Sequence, residues 1–165
     1  MSCNKFQNIY INFMFKSFFK KKASNELKKS SPIDDNVFTI VCVLVEAALV
    51  DNNFGDEEKN IIIKLLQKQY KIKNIEDINS ILEKAIKACK EASDLINYTR
   101  KIKQNWEIEK RIEVIEMLWK VCLVDGVLEP YEDMLIRRIS GLIYVDDKNR
   151  NLAKKNAIKK LDNYK

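Results

Sequence analysis

The strongest constraint on this chain is that it matches itself. Sliding the sequence by 74 positions brings Leu44, Leu49, Val50, Asp51, Glu58 and Ile62 onto Leu118, Leu123, Val124, Asp125, Glu132 and Ile136. Conservative pairs agree with the identities: Ile40 meets Val114, Val41 meets Ile115, Phe54 meets Leu128, Ile61 meets Leu135 and Leu65 meets Ile139. Two copies of one helix-loop-helix unit, over about residues 36–70 and 108–145, account for the pattern. Two copies are too few for a solenoid, so both must contribute to one core.

The repeat also settles the type of secondary structure. Taken alone, Val37 to Val50 is rich in β-branched residues and reads equally well as a buried strand. Its partner is unambiguous, because Ile108, Ile112, Ile115, Leu118, Trp119, Cys122 and Leu123 follow helical spacing, with Glu107, Glu109, Lys110, Glu113 and Glu116 on the other face. Both segments are therefore read as helices. A polar loop follows each, Asp51-Asn52-Asn53-Phe54-Gly55 or Asp125-Gly126-Val127-Leu128-Glu129, and second helices begin near Asp56 and Pro130. Asn52 and Gly126 fall just past a helix end, where tolerance of the left-handed conformation is wanted.

Between the copies, Ile78, Ile81, Leu82, Ala85 and Cys89, then Ala92, Leu95, Ile96, Thr99 and Ile102, read as one or two further amphipathic helices. Asp146 or Asp147 can cap a last, weaker, lysine-rich helix. No good strand signal is left over. The expectation is an all-α fold of about seven helices around one core, over residues 34–165.

Composition removes whole classes of chemistry. The chain has no histidine, which excludes a Ser-His-Asp triad, a Cys-His pair and a zinc helix of the H-E-x-x-H type. Its three glycines, Gly55, Gly126 and Gly141, are too far apart to form a phosphate-cradling loop. Asp, Glu, Lys and Tyr are available for general acid-base work, but none of their arrangements is diagnostic, so no enzymatic activity is expected. Cys3, Cys42, Cys89 and Cys122 lack C-x-x-C spacing and read as buried free thiols rather than zinc ligands, which fits a reducing compartment.

The net charge of +6 belongs to the ends of the chain. Residues 1–35 and 151–165 each carry +4, while residues 36–150 carry −2. The body has no basic stripe with interleaved aromatics, so nucleic acid is not an expected partner. Residues 1–33 form a separate arm and linker in which five of the seven phenylalanines, Phe6, Phe13, Phe15, Phe18 and Phe19, precede Lys20, Lys21 and Lys22. The stretch is too short and polar to cross a bilayer and lacks the apolar core of a signal peptide. Residues 4–22 could instead lie on an anionic membrane surface, as an alternative to packing on the domain or fraying. The expected location is the cytoplasm, with peripheral attachment at the inner face of the membrane as the arm's alternative role.

With Asp51-Asn-Asn-Phe and Trp119-Lys-Val-Cys-Leu-Val-Asp-Gly-Val-Leu-Glu-Pro-Tyr-Glu132 in place, the chain resembles the TerB-like domains, the family of the tellurite-resistance protein TerB and the N-terminal region of the co-chaperone DjlA. The resemblance covers about residues 36–150, and its most specific piece is the D-G-x-L-x-P-x-E pattern in the second copy. Asp94-Leu-Ile-Asn-Tyr-Thr-Arg100 is similar to the family as well. The resemblance implies a compact seven-helix bundle, a loose association with metal-oxyanion and other stress responses, and no catalytic mechanism. It also implies that Met14 is an alternative start. A J-domain needs a His-Pro-Asp triplet, so stimulation of an Hsp70 by that route is excluded.

The same resemblance marks Asp51, Glu58, Asp125 and Glu132 as candidate ligands for calcium or magnesium, hard cations that favour carboxylate oxygens. Structural roles compete with that reading. Glu129, Pro130 and Glu132 stand at N-cap, N1 and N3, so Glu132 can reach back to the backbone, and Glu58 can do the same in the first copy. Asp51 and Asp125 can accept loop N-H groups as Asx turns. Gly55, Asn52 and Val127 stand where the family carries an acid, a glycine and an acid, and Ile62 occupies the twelfth position of any EF-hand counted from Asp51. Trp106, Trp119 and Tyr131 are read as core and helix-start packing. The functional expectation is a non-enzymatic module that binds a partner protein of unknown identity, with a divalent-cation sensor and a membrane-anchored protein as alternatives.

Overall fold

The computed structural model describes residues 32–49, 54–91 and 94–162, with side chains from Asp35 onward. Among these residues the secondary structure is helical, in seven segments: α1 (Pro32–Ala48), α2 (Asp56–Gln69), α3 (Ile75–Glu91), α4 (Leu95–Asn105), α5 (Ile108–Cys122), α6 (Pro130–Leu142) and α7 (Asp147–Leu161). The all-α expectation and the helix count both hold. The arm, with its membrane-binding stretch 4–22, Met14 and Cys3, lies outside the described residues, as do Asp51, Asn52, Asn53 and Ala92.

The first helix of each copy is central. In α1 the run Ile40 to Val45 is fully buried, and Val37, Ala47 and Ala48 join it. This explains why α1 imitates a strand in sequence: a helix enclosed on nearly all sides needs apolar residues at consecutive positions, and the period of 3.6 disappears. In α5 burial extends from Val114 through Cys122, interrupted only by the half-buried Glu116. The repeat predicts burial pair by pair, since Ile40 and Val114, Val41 and Ile115, Leu44 and Leu118, and Ile62 and Ile136 are all sealed from solvent. Leu49 and Leu123, and Phe54 and Leu128, are partly buried against the same core.

The outer helices cover this pair. Helix α5 packs against α2, α6 and α7, α4 against α6, and α2 against α3. Helix α3 carries Ile78, Leu82, Ala85 and Cys89 inward, a one-face stripe with turns of three and four residues. Buried hydroxyls within helices bond back one turn: Thr99 to the Leu95 carbonyl at 2.6 Å and Ser140 to that of Ile136 at 2.8 Å. Asp94 stands at the N-cap position of α4, where its carboxylate accepts from the Asn97 side-chain amide at 2.5 Å, and the Asn97 carbonyl oxygen in turn accepts from Arg100.

Helix α7 packs along α5, although α7 has the weakest sequence pattern. Its buried stripe is narrow: Arg150, Ala153, Ala157 and Leu161. Two alanines one turn apart let the backbones approach closely, and long side chains at the margin then cover the seam. Lys154 Nζ lies 4.4 Å from the centroid of the Trp119 ring, and Lys160 reaches Glu116 at 3.0 Å. Glu116 also holds Lys120, whose ammonium is 1% exposed, at 2.8 Å. Burial favours the neutral acid at Glu116, but the bonds from Lys120 and then Lys160 outweigh it and hold the carboxyl below its usual range. Asp146 caps α7 through the Asn149 N-H at 2.8 Å, which selects Asp146 over Asp147.

Candidate functional site

The second acidic loop is built by local rules. Helix α5 ends at Leu123, whose N-H bonds to the Trp119 carbonyl at 3.1 Å, and Gly126 then takes φ +85° while its N-H reaches the Leu123 carbonyl. A side chain there would be strained by the backbone alone, because nothing stands within 4 Å of where a Cβ would project. Asp125 Oδ1 accepts the Val127 N-H at 2.9 Å, the expected Asx turn. Glu129 is the N-cap, Pro130 occupies N1, and Glu132 Oε2 accepts the Glu129 N-H at 2.9 Å. The Glu132 N-H itself turns to the Glu129 carbonyl at 3.1 Å, so the side-chain contribution to the cap runs backward from Glu132.

The first loop repeats the device with a glycine as N-cap. Gly55 has no side chain, and its N-H donates to Glu58 Oε2 at 2.7 Å. Glu58 and Glu132 are therefore equivalent in structure as well as in sequence. Each lies in a helix's first turn beside other acids, Asp56 and Glu57 or Asp133, where the helix dipole favours negative charge.

The tertiary structure adds a convergence. Cys122, in the last turn of α5, is 3% exposed. Burial raises its pKa far above the usual thiol value, followed by the charge of Glu132 and a hydrogen bond to it, and then by the charges of Glu58 and Asp125. Three of the four candidate acids, drawn from both copies, thus lie within electrostatic reach of one buried sulfur. Burial and these charges both favour the protonated thiol. Each of the three gives one oxygen to a backbone N-H. Asp51, the fourth, lies outside the described residues. No group of three or more His, Cys, Asp or Glu side chains close enough to hold a metal occurs among the described residues.

The aromatic residues divide. Trp119 is core, as expected, and Trp106 caps the end of α4 and donates its indole N-H to Asn36 Oδ1 at 3.3 Å. Tyr131 does not pack. It is 68% exposed at the N2 position of α6, and Met134 (60%) on the same helix and Val127 (55%) in the loop before it are exposed as well. The expectation that Tyr131 is a packing residue fails because Leu128 and Leu135 take the inward places at this end of α6. Tyr131 and Met134 are three positions apart on the helix and so share its outward side.

Two further features are visible only in three dimensions. A cleft of about 550 Å³ is lined by Asn36, Tyr70, Trp106, Lys110 and Glu113 among others, and burial raises the Tyr70 phenol pKa strongly. Cys42 and Cys89, 47 positions apart, come together between α1 and α3. No helix among the described residues is long and apolar enough to cross a membrane.

A family model described as "Tellurite resistance protein TerB" matches residues 38–155. Comparison with curated proteins and with solved structures gives no match.

Proposed function

Because the chain belongs to the TerB family, we propose that it acts as a non-enzymatic interaction module whose partner protein docks on the outer face of the second repeat. The observation that carries this reading is the pair Tyr131 and Met134, three positions apart on α6 and each more than half exposed, with Val127 also exposed in the loop before the helix. Single exposed apolar residues are ordinary, whereas neighbouring ones that include an aromatic resemble the anchors of protein interfaces. Arg137 and Asp133, paired at 2.7 Å, stand along the same helix and supply a polar rim.

Site-specific photo-crosslinking in the native cell tests it. A photoreactive residue at 131 or 134 should trap one discrete partner, while the same residue at Glu83, exposed on α3, should not. Identical products from both faces, or none from either, would remove the proposal. The tellurite-linked or stress setting rests on the family description, and it predicts that loss of the gene changes growth on tellurite.

A second reading, a divalent-cation sensor, is supported by acids of both loops, Glu58, Asp125 and Glu132, acting electrostatically on one side chain, Cys122. Its test is a calcium and magnesium titration followed by the fluorescence of Trp119, less than two helical turns before Asp125. Saturable binding lost in Asp51→Asn and Asp125→Asn would sustain it, and a flat titration would end it. A membrane role for residues 4–22 predicts that liposomes of anionic lipid float the full chain but not one starting at Asn36.

A further inference from the structure

The buried contact between Cys42 and Cys89 is not used by the interaction face or by the acidic loops. Cys42 lies on α1 and is fully enclosed, and Cys89 lies near the end of α3 with 8% of its surface exposed. The Cys89 thiol donates to the Cys42 carbonyl oxygen at 3.6 Å, and the two thiols are within hydrogen-bonding reach of each other. Two polar side chains complete the cluster. Tyr98, from α4, and Glu46, one turn after Cys42, lie close enough to the two sulfurs to shift their ionisation.

This environment treats the two sulfurs differently. The S-H of Cys89 is the largest stabiliser of a Cys42 thiolate, which Tyr98 and the more distant Lys101 also favour against burial and the charge of Glu46. Cys89 is pushed the other way, by its bond with Cys42, by burial and by Glu46. The contact between the sulfurs thus favours charge on Cys42 and disfavours it on Cys89, which fits Cys42 as the nucleophile and Cys89 as the resolving thiol. Cys122 offers the contrast: burial and acidic groups surround it, and no second thiol is among the groups that perturb it.

We propose that Cys42 and Cys89 form an oxidisable dithiol that closes to a reversible disulfide with a peroxide as oxidant. The Cys42 thiolate attacks one peroxide oxygen, the O-O bond breaks, and with one proton taken up the products are the Cys42 sulfenic acid and water, or an alcohol from an organic peroxide. The Cys89 sulfur then attacks the sulfenic sulfur, the S-O bond breaks, and the hydroxyl leaves as water with the Cys89 proton. Two thiols have lost two electrons, and the peroxide has been reduced. Cys89, at 8% exposure, is the side of the pair nearer to solvent, so the peroxide must pass it to reach the enclosed Cys42. The new bond ties α1 to α3 across 47 intervening positions, a closure that constrains the unfolded chain.

The test uses the full chain, reduced and then exposed to hydrogen peroxide, with intact-mass measurement and non-reducing peptide mapping. The expected result is a mass lower by about 2 Da, a linked peptide pair containing Cys42 and Cys89, and full reversal by dithiothreitol. The oxidised protein should also unfold at a higher temperature than the reduced one. In Cys89→Ser the reaction should stop at a Cys42 sulfenic acid that dimedone traps, and in Cys42→Ser the pair should not form. Linkage through Cys3 or Cys122, a chain-to-chain disulfide, or no mass change at peroxide levels that oxidise a free cysteine would each overturn the proposal. The mapping of the unsubstituted protein decides the matter even where a variant fails to fold.

Discussion

The first helices of the two copies share a register and differ in what they bury. Position 42 corresponds to 116 and position 46 to 120, so α1 places Cys42 and Glu46 where α5 places Glu116 and Lys120. Around the first pair the neighbouring helices bring Cys89 and Tyr98. Around the second, α7 brings Lys160. One backbone arrangement, a central helix with two polar positions a turn apart, thus supports a thiol cluster in one half and an ion-pair triad in the other. The apolar pairs are preserved because they build a shared core. The polar pairs diverge because each needs only its own local partners to be satisfied.

The comparison is most severely tested at its apolar positions. Leu44→Ala and Leu118→Ala each remove a fully buried leucine and should each destabilise the protein by about 3 kcal/mol. Urea unfolding would show costs within about 1 kcal/mol of each other if the two copies contribute equally.

The polar positions should separate the copies. Glu116→Ala leaves the buried Lys120 ammonium without its 2.8 Å partner and should cost about 3 kcal/mol. Joint replacement by Glu116→Leu and Lys120→Met should recover most of that loss, because it removes both buried charges. A double replacement as damaging as Glu116→Ala would show that the triad does more than neutralise itself.

Acid sharpens the same contrast. The folded Glu116 carboxyl titrates below its ordinary 4.5, so the unfolded state binds the proton first as pH falls. Its contribution is complete above the unfolded value and disappears as pH drops through the folded one. The urea midpoints of the unsubstituted protein and Glu116→Gln should therefore differ at pH 6 and draw together as the pH falls below the ordinary carboxyl range and through the folded-state value.

The smallest effect is expected in the loop. Gly126→Ala meets no steric obstacle but must hold φ +85°, which should cost about 1 kcal/mol. Thermal unfolding would detect this as a shift of about 3 °C. A neutral result would show that the loop relaxes and that its tight geometry is not needed to place Asp125.

Much of the molecule was legible in the residue string. The copies at 36–70 and 108–145, the start of α6 at Pro130, the backward cap from Glu132, the Asx turn at Asp125 and the enclosed Trp119 all follow from patterns a few residues long. Apolar periodicity and capping act over one or two turns, so their causes lie next to one another in sequence. Even the misleading, strand-like run of α1 resolved once its copy was read beside it.

The tertiary structure alone decided the rest. Tyr131 follows helical spacing that suits an inward or an outward face, and only the packing of α6 turned it outward. The narrow stripe Ala153, Ala157 and Leu161 gave little pattern, yet α7 covers α5 because small residues allow close approach, a property of the pair and not of the strip. Cys42 meets Cys89, and Glu58 comes within electrostatic reach of Cys122, across helices that sequence separation cannot connect. Short-range physics is written in neighbouring residues, whereas which helix faces which is set by burying every apolar stripe at once. That joint solution, not any local motif, placed the dithiol and brought Glu58 toward Cys122.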